Sequence, residues 1–256
     1  MRFVRYRKSG SKTVKYGWVY GDFVGEIEGD IFAEFRRMEA VTPLLSVQLL
    51  PPVVPGKIIG VEWNYLDQVR EYDRAIPNYP GIYLKPVSSI IGMNDAIMLP
   101  AVSQRVEQEC ELAVVIGKPA KNVPPEEAFS HIFGYTIAND VTARDLQMTD
   151  ETWTRAKGFD TFCPMGPVME TDFEPADSLM TCRVNGVMCQ MASTRDMIFP
   201  VQNLIAFISS VMTLNTGDVI LTGSSSGCVP LADGDVVDSV IDGIGTLTNH
   251  VRTAKD

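Results

Sequence analysis

Five apolar residues in a row, Leu112 to Ile116, follow directly on two glutamates set one residue apart, Glu109 and Glu111 in EQECELAVVIG. A run without polar alternation is what a strand covered on both faces requires, so this segment must lie inside a layered fold. Strand alternation sends Glu109 and Glu111 to one side and Cys110 and Leu112 to the other. At roughly 4 Å and an effective dielectric near 20, two carboxylates repel by about 4 kcal/mol, so they spread apart, take up a proton or share a cation. A Glu-x-Glu on a solvent-facing edge needs none of these; one that runs straight into a buried strand does. Asp140, in IANDVTARDLQ, adds a third acid about thirty residues on. With oxygen donors alone, no neighbouring histidine and no thiolate pattern, the expected ion is hard: Mg²⁺ first, Mn²⁺ next, Ca²⁺ less favoured.

Charge narrows the ligand. A formal charge of −10 disfavours nucleic acid and anionic membrane as partners, since phosphate surfaces reward the opposite sign, and points to a small molecule. No apolar run reaches the roughly 18 to 20 residues of a spanning helix, and MRFVRYRKSG lacks the apolar middle of a signal peptide, so the cytosol is the expected location. Cysteines at 110, 163, 182, 189 and 228 are odd in number and have no C-x-x-C spacing, which suggests small buried hydrophobes and neither a disulfide framework nor a zinc site. Only His131 and His250 are present, which closes most routes to a His-ligated metal or a Ser-His-Asp hydrolase, and both are read as structural.

Alternating segments with Gly21-Asp22 and Gly29-Asp30 turns predict a small N-terminal β module over residues 1–55, ended by Pro51, Pro52 and Pro55. Residues 56–256 form the main domain, starting at the buried strand KIIGVEWNY. Within it, residues 64–84 are charged, aromatic and proline-bearing, with a short helix expected over Tyr65 to Arg74; this segment reads as a lid or as an ordinary surface loop. Pro124 and Pro125 precede an acidic first turn and predict a helix start. Pro200 to Met212 predicts an amphipathic helix with Leu204, Ile205, Ile208, Val211 and Met212 on one face. LNTGDVILTG and LADGDVVDSV are each a Gly-Asp turn feeding an apolar strand, and both are assigned to one sheet system. Strands outnumber helices, so the fold class is α+β and mainly β.

If the stretch from Asp140 is helical, Asp140, Arg144 and Gln147 share a face at i, i+4 and i+7. Lys157 and Asp160 in TRAKGFDTFCPMG supply a cation and an acid at i, i+3. Alone, that pair is ordinarily a surface salt bridge.

With EQECELAVVIGK, FGYTIANDVTARDLQ, WTRAKGFDTFCPMGP, RVNG, DMIF and TLNTGDVILTG present in this order, the chain resembles the fumarylacetoacetate hydrolase family over roughly residues 57 to 250. The resemblance implies a mixed β-roll catalytic domain, a homodimer, and Mg²⁺ or Mn²⁺ held at the positions of Glu109, Glu111 and Asp140. It places Lys157 beside the metal and the substrate oxygens, Asp160 in support of it, and Arg144 and Gln147 in the polar pocket. Ser224, in TGSSSG, stands where the family usually has a substrate-binding threonine; serine retains the hydroxyl. Substrates of this family are acylpyruvates, β-keto acids such as oxaloacetate, 2-hydroxydienoates and sugar-derived keto acids.

One departure bears on the reaction. Many members carry a lid motif resembling N-Y-x-x-H-x-x-E, whose histidine and glutamate activate water. Here the stretch runs from Asn64 to Glu71 with Gln68 at the histidine position, and Glu62-Trp63 replaces the small or neutral residues expected before it. Glutamine orients a water or an oxygen but accepts no proton near neutral pH, which leaves Glu71 to act alone. The expectation is a divalent-metal-dependent enzyme that cleaves a C–C bond in a 2-keto or β-keto carboxylate through a metal-stabilised enolate, with decarboxylation less impaired than hydrolysis. Isomerisation of a 2-hydroxydienoate is the runner-up, and a catalytically silent metal- and ligand-binding relative the alternative of a different class.

Overall fold

In the computed structural model, which describes residues 1–254, the N-terminal alternation becomes a meander of β1 (Arg2–Lys8), β2 (Lys15–Tyr20), β3 (Phe23–Gly29) and β4 (Phe35–Pro43). The β2–β3 hairpin closes through two residues, with Gly21 at φ +55°, a left-handed conformation that costs glycine little. β5 (Val47–Leu50) returns to pair with β1.

Beyond the proline break the chain forms β6 (Ile58–Glu62), α1 (Leu66–Glu71), β7 (Gly81–Lys85), β8 (Ile90–Ile91), β9 (Ala96–Leu99), β10 (Val106–Glu107) and β11 (Cys110–Ile116). Next come β12 (Ile132–Asn139), β13 (Thr142–Ala143), α2 (Arg144–Thr149), α3 (Thr154–Lys157), β14 (Cys163–Glu170), β15 (Leu179–Val184) and β16 (Val187–Ser193). The rest is α4 (Val201–Val211), β17 (Val219–Leu221), β18 (Val236–Ile241) and β19 (Gly245–Thr253). The class is α+β and mainly β, as expected.

The largest sheet runs β4-β3-β2-β1-β14-β12-β11-β17-β6-β7, and a second, five-stranded sheet runs β16-β15-β18-β19-β9. β11 lies deep in the first, between β12 and β17, and all its residues are buried. That is the two-sided cover its uninterrupted apolar run demands. The N-terminal meander continues this sheet: β1 pairs with β14 at Arg2–Glu170 and Phe3–Met169, and Phe3, Ile27 and Ile31 share a core with Ile58, Ala113, Val115 and Met165.

Three local readings change. The two Gly-Asp entries lead to different sheets, β17 to the large one and β18 to the five-stranded one, because such a turn fixes how a strand begins and not which strand it pairs with. The segment after Pro124 is a 3₁₀ helix, Pro125–His131. α4 buries Leu204, Ile205 and Ile208, but Val211 is exposed at the helix end. The five cysteines are free; Cys110, Cys163 and Cys182 are buried, while Cys189 and Cys228 are partly exposed. His131 is half-buried and His250 exposed. No helix among the described residues is long and apolar enough to cross a membrane.

Candidate active site

Glu109 immediately precedes β11, and Asp140 immediately follows its neighbour β12. Pairing of Cys110 with Asn139 brings the two ends together: the Asp140 N–H donates to Glu109 O at 2.8 Å and the Glu109 N–H to Asn139 Oδ1 at 2.9 Å. Glu109, Glu111 and Asp140 are 4%, 1% and 0% exposed, and each offers an oxygen within 4.8 Å of the others'. Asp140 does not start a helix. Thr142 and Ala143 pair with β10 and the Arg144 N–H donates to Arg105 O, so local backbone bonds are spent on strands and α2 begins only at Arg144. Arg144 reaches the cluster nonetheless: its guanidinium donates to Glu107 Oε2 at 2.7 Å, Glu109 Oε1 at 2.5 Å and Gln147 Oε1 at 2.5 Å.

Lys157, the last residue of α3, donates from Nζ to Glu109 Oε2 at 2.7 Å and Asp140 Oδ2 at 2.6 Å. Three further groups escaped the sequence reading. Lys85 Nζ lies 2.6 Å from Asp140 Oδ1, although its hydrogen bonds are directed at the carbonyls of Val141 and Lys157. The Tyr83 hydroxyl donates to Asp140 Oδ2, and Glu107 is buried between Arg105 and Arg144. Strand parity carries a signal for each pair: Tyr83 and Lys85 are two apart, as are Glu107 and Glu109.

Burial alone would raise the Asp140 carboxyl, but the charges and hydrogen bonds of Lys157 and Lys85 outweigh it and hold it down at about 2. Glu111 goes the other way. Burial, then the neighbouring charges of Asp140 and Glu109, push its carboxyl well above the ordinary range. Burial opposes the charge on Lys157, yet Asp140 and Glu109 prevail and hold the ammonium charged. Glu111 accepts from the Gly223 N–H at 2.7 Å and has no cationic partner among the described residues. The buried carboxylates of Glu107, Glu109, Glu111 and Asp140 thus outnumber the buried cations Lys85, Arg144 and Lys157 by one. Three convergent carboxylates, one without a counter-charge, fit a hard dication such as Mg²⁺ or Mn²⁺.

Of these side chains, Glu109, Glu111, Arg144, Lys157 and Tyr83 line a small inner cavity, together with Glu62, Trp63, Gln68, Gln147, Trp153 and Ser224. Gln68, in α1, is buried and donates from Nε2 to Ser224 Oγ at 3.1 Å. Glu71 is exposed at the end of the same helix, with both carboxylate oxygens 3.4 Å from the Gly227 N–H, and does not line the cavity. Asp160 also lies outside: α3 ends at Lys157, so i, i+3 spacing no longer shares a helical face and Asp160 is exposed in the following turn. The sequence thus brings together the triad with Arg144, Gln147, Lys157, Gln68 and Ser224, but neither Glu71 nor Asp160.

Comparison with known proteins identifies relatives across the whole chain. Residues 57–252 match the family described as fumarylacetoacetate (FAA) hydrolase C-terminal, and residues 1–52 match Rv2993c-like, N-terminal. Oxaloacetate tautomerase fahd2, mitochondrial, of Xenopus laevis is 43% identical over 219 residues, 80% of this chain and 69% of that protein. The crystal structure of 5-carboxymethyl-2-hydroxymuconate delta-isomerase from Mycobacterium smegmatis superposes with a TM-score of 0.92 at 43% identity, covering 99% of this chain and 100% of that one. That of 2-hydroxyhepta-2,4-diene-1,7-dioate isomerase from Mycobacterium marinum gives 0.92 at 42%, covering 100% of both. The chain belongs to the fumarylacetoacetate hydrolase family.

Proposed function

We propose that this chain is a divalent-metal-dependent enzyme that moves a proton between the keto and enol forms of a small 2-keto dicarboxylate. The observation that carries this reading is the Gln68–Ser224 hydrogen bond beside an exposed Glu71. A hydrolase of acylpyruvates needs a base to activate water over the carboxylates, and the amide of Gln68 accepts no proton near neutrality. Proton transfer next to a carbonyl needs no such water. The names of the tautomerase and the two isomerases above support the same chemistry. Decarboxylation of a β-keto acid is the second reading, favoured by the ammonium of Lys157 buried where negative charge would collect.

Held by Glu109, Glu111 and Asp140, Mg²⁺ or Mn²⁺ would supply Lewis-acid charge that draws electron density from a keto carboxylate. The chain's own groups do the rest. Lys157 presents positive charge to a developing oxyanion, and the low dielectric of its site strengthens that interaction. Arg144 and Gln147, locked to each other, offer donors to a carboxylate; Ser224 and Gln68 form a second polar wall. Trp63, Tyr83 and Trp153 pack edge to face and limit water.

The test is a proton NMR assay of oxaloacetate with Mg²⁺ or Mn²⁺, run beside acetylpyruvate and a 2-hydroxydienoate. Catalysed keto–enol exchange or double-bond migration above acylpyruvate hydrolysis supports the reading; faster acylpyruvate cleavage rejects it, and metal-dependent ligand binding with no turnover marks a silent relative. A homodimer remains part of the proposal, checked by light scattering of the eluting peak.

A further inference from the structure

We propose that Glu62 is the proton-carrying catalytic residue of this chain, in the place left by the absent lid histidine. This inference rests on the keto–enol reading above. β6 and β7 pair Gly60 with Tyr83 and Glu62 with Gly81. Gly60 and Glu62 therefore share one face of β6. The Tyr83 ring lies over Gly60, where a Cβ would come within 2.1 Å of it, and its hydroxyl reaches Asp140. Glu62 is the next group along that face. Its carboxylate folds over Gly81, 3.1 Å from where a Cβ would stand, so a side chain at 81 would press on it.

Glu62, Tyr83 and Trp153 line both the inner cavity and an outer cleft of about 650 Å³. Glu62 is thus the carboxyl at the passage between them. Besides Glu109 and Glu111 it is the only acid lining the inner cavity among the described residues, and no hydrogen bond or ion pair holds it. Next to it, Trp63 is held at φ +51° with its indole N–H buried and without a partner. Strained backbone and unspent polar groups cluster where a ligand completes the bonding.

The charged groups facing Glu62 are Lys157 from α3, Arg144 from α2, Glu109 and Glu111 from the β11 end, and Arg74 and Glu151 from the cleft wall. Burial raises its carboxyl above the ordinary glutamate value, partly offset by Lys157 and Arg74. A base whose pKa is shifted upward, toward neutrality, transfers protons more effectively than an ordinary carboxylate. In the step assigned to it, the Glu62 carboxylate takes a proton from the carbon next to the keto group. The C–H pair becomes the C=C bond, and the carbonyl π pair moves onto the keto oxygen, beside the Lys157 ammonium. To give the enol, the enolate oxygen then takes a proton from solvent and Glu62 releases its own to solvent; in the reverse direction or in an isomerisation the Glu62 carboxylic acid returns its proton to that carbon or to the far end of a conjugated chain.

The experiment compares wild type, Glu62→Gln, Glu62→Asp and the cleft-wall control Glu151→Gln. It reads deuterium incorporation at the methylene of oxaloacetate, Mn²⁺ and oxalate affinities by calorimetry, and the infrared carboxyl band of metal-free protein. Expected for Glu62→Gln are a loss of exchange of about 10² or more, affinities within about threefold of wild type, and loss of the acid limb of the kcat/KM profile. Glu62→Asp recovers part of the rate and Glu151→Gln keeps it. In the wild type a Glu62 component of the infrared carboxyl band titrates above the ordinary glutamate range and is missing from Glu62→Gln, while the Glu111 component remains. Unchanged exchange and an unchanged acid limb in Glu62→Gln overturn the proposal while leaving the keto–enol reading intact, as does a rate loss matched by equal loss of Mn²⁺ and oxalate binding. Absence of metal-dependent exchange in the wild type overturns both.

Discussion

Gln68 Nε2 donates to Ser224 Oγ across 3.1 Å, so an amide pins α1 to the loop after β17. Replacing Gln68 with His puts a titratable group over the cavity. Gln68→His is expected to raise acylpyruvate hydrolysis by about 10², the low end for a positioned acid–base group, in a steady-state assay of diketone absorbance. A flat rate would show that residue 68 does not stand over the reacting carbon.

Glu111 breaks no ion pair when it is neutralised, because its recorded contact is the Gly223 N–H. Glu111→Gln is therefore expected to keep the fold while weakening Mn²⁺ binding by about 100-fold or more, since even outer-shell changes cost metal sites 10–100-fold. Titration calorimetry gives the affinity, and the rise in Tm on adding Mn²⁺, present in wild type, should disappear. Unaltered affinity would remove Glu111 from the metal site.

Lys157 stands between Glu109 Oε2 and Asp140 Oδ2 and is 2% exposed. Removing one partner of a buried charge pair leaves the others uncompensated, at a cost of about 3 kcal/mol or more. At roughly 2–4 °C per kcal/mol for a chain of this size, Lys157→Met should lower the metal-free Tm by about 6–12 °C. Mn²⁺ should raise the variant's Tm by more than it raises that of wild type, a comparison scanning calorimetry makes directly.

Burial pushes the Cys163 thiol up from 9.0 to about 12, with Lys85 opposing and Asp140 adding to the effect. Between these values the unfolded thiol loses its proton while the native one keeps it, so the unfolded state binds fewer protons and stability falls as pH rises. Stability from this group is complete below pH 9 and is lost on the way to 12. Cys163→Ala removes the dependence: its Tm falls less steeply between pH 9 and 11, by roughly 2–4 °C per pH unit. Parallel slopes for variant and wild type would contradict the shift.

The triad could be read from the sequence because Glu-x-Glu abuts an apolar run, and burial leaves such carboxylates few options. Asp140 reaches the cluster by a different geometry from the one its spacing suggested: the i, i+4, i+7 pattern with Arg144 and Gln147 pointed to a helix face, whereas pairing of Thr142 and Ala143 with β10 leaves it at a strand end. Tyr83 and Lys85 were hidden because proline and aromatic residues made the stretch after the short helix at Tyr65 to Arg74 look like loop, though GIYLK alternates as a strand. Asp160 shows the opposite fault, since a helical spacing was applied across the point where α3 stops. Partner choice for β17 and β18 depends on which edges are free late in the chain, which no local pattern encodes.

The β1–β14 junction has a practical consequence. Deleting the first fifty residues would unzip β14 along one margin and strip Phe3 and Ile27 from the apolar faces of Met165 and Val115. A shortened protein would then offer its raw margin to any neighbouring molecule, so clumping in storage, before any drop in turnover, would be its first symptom.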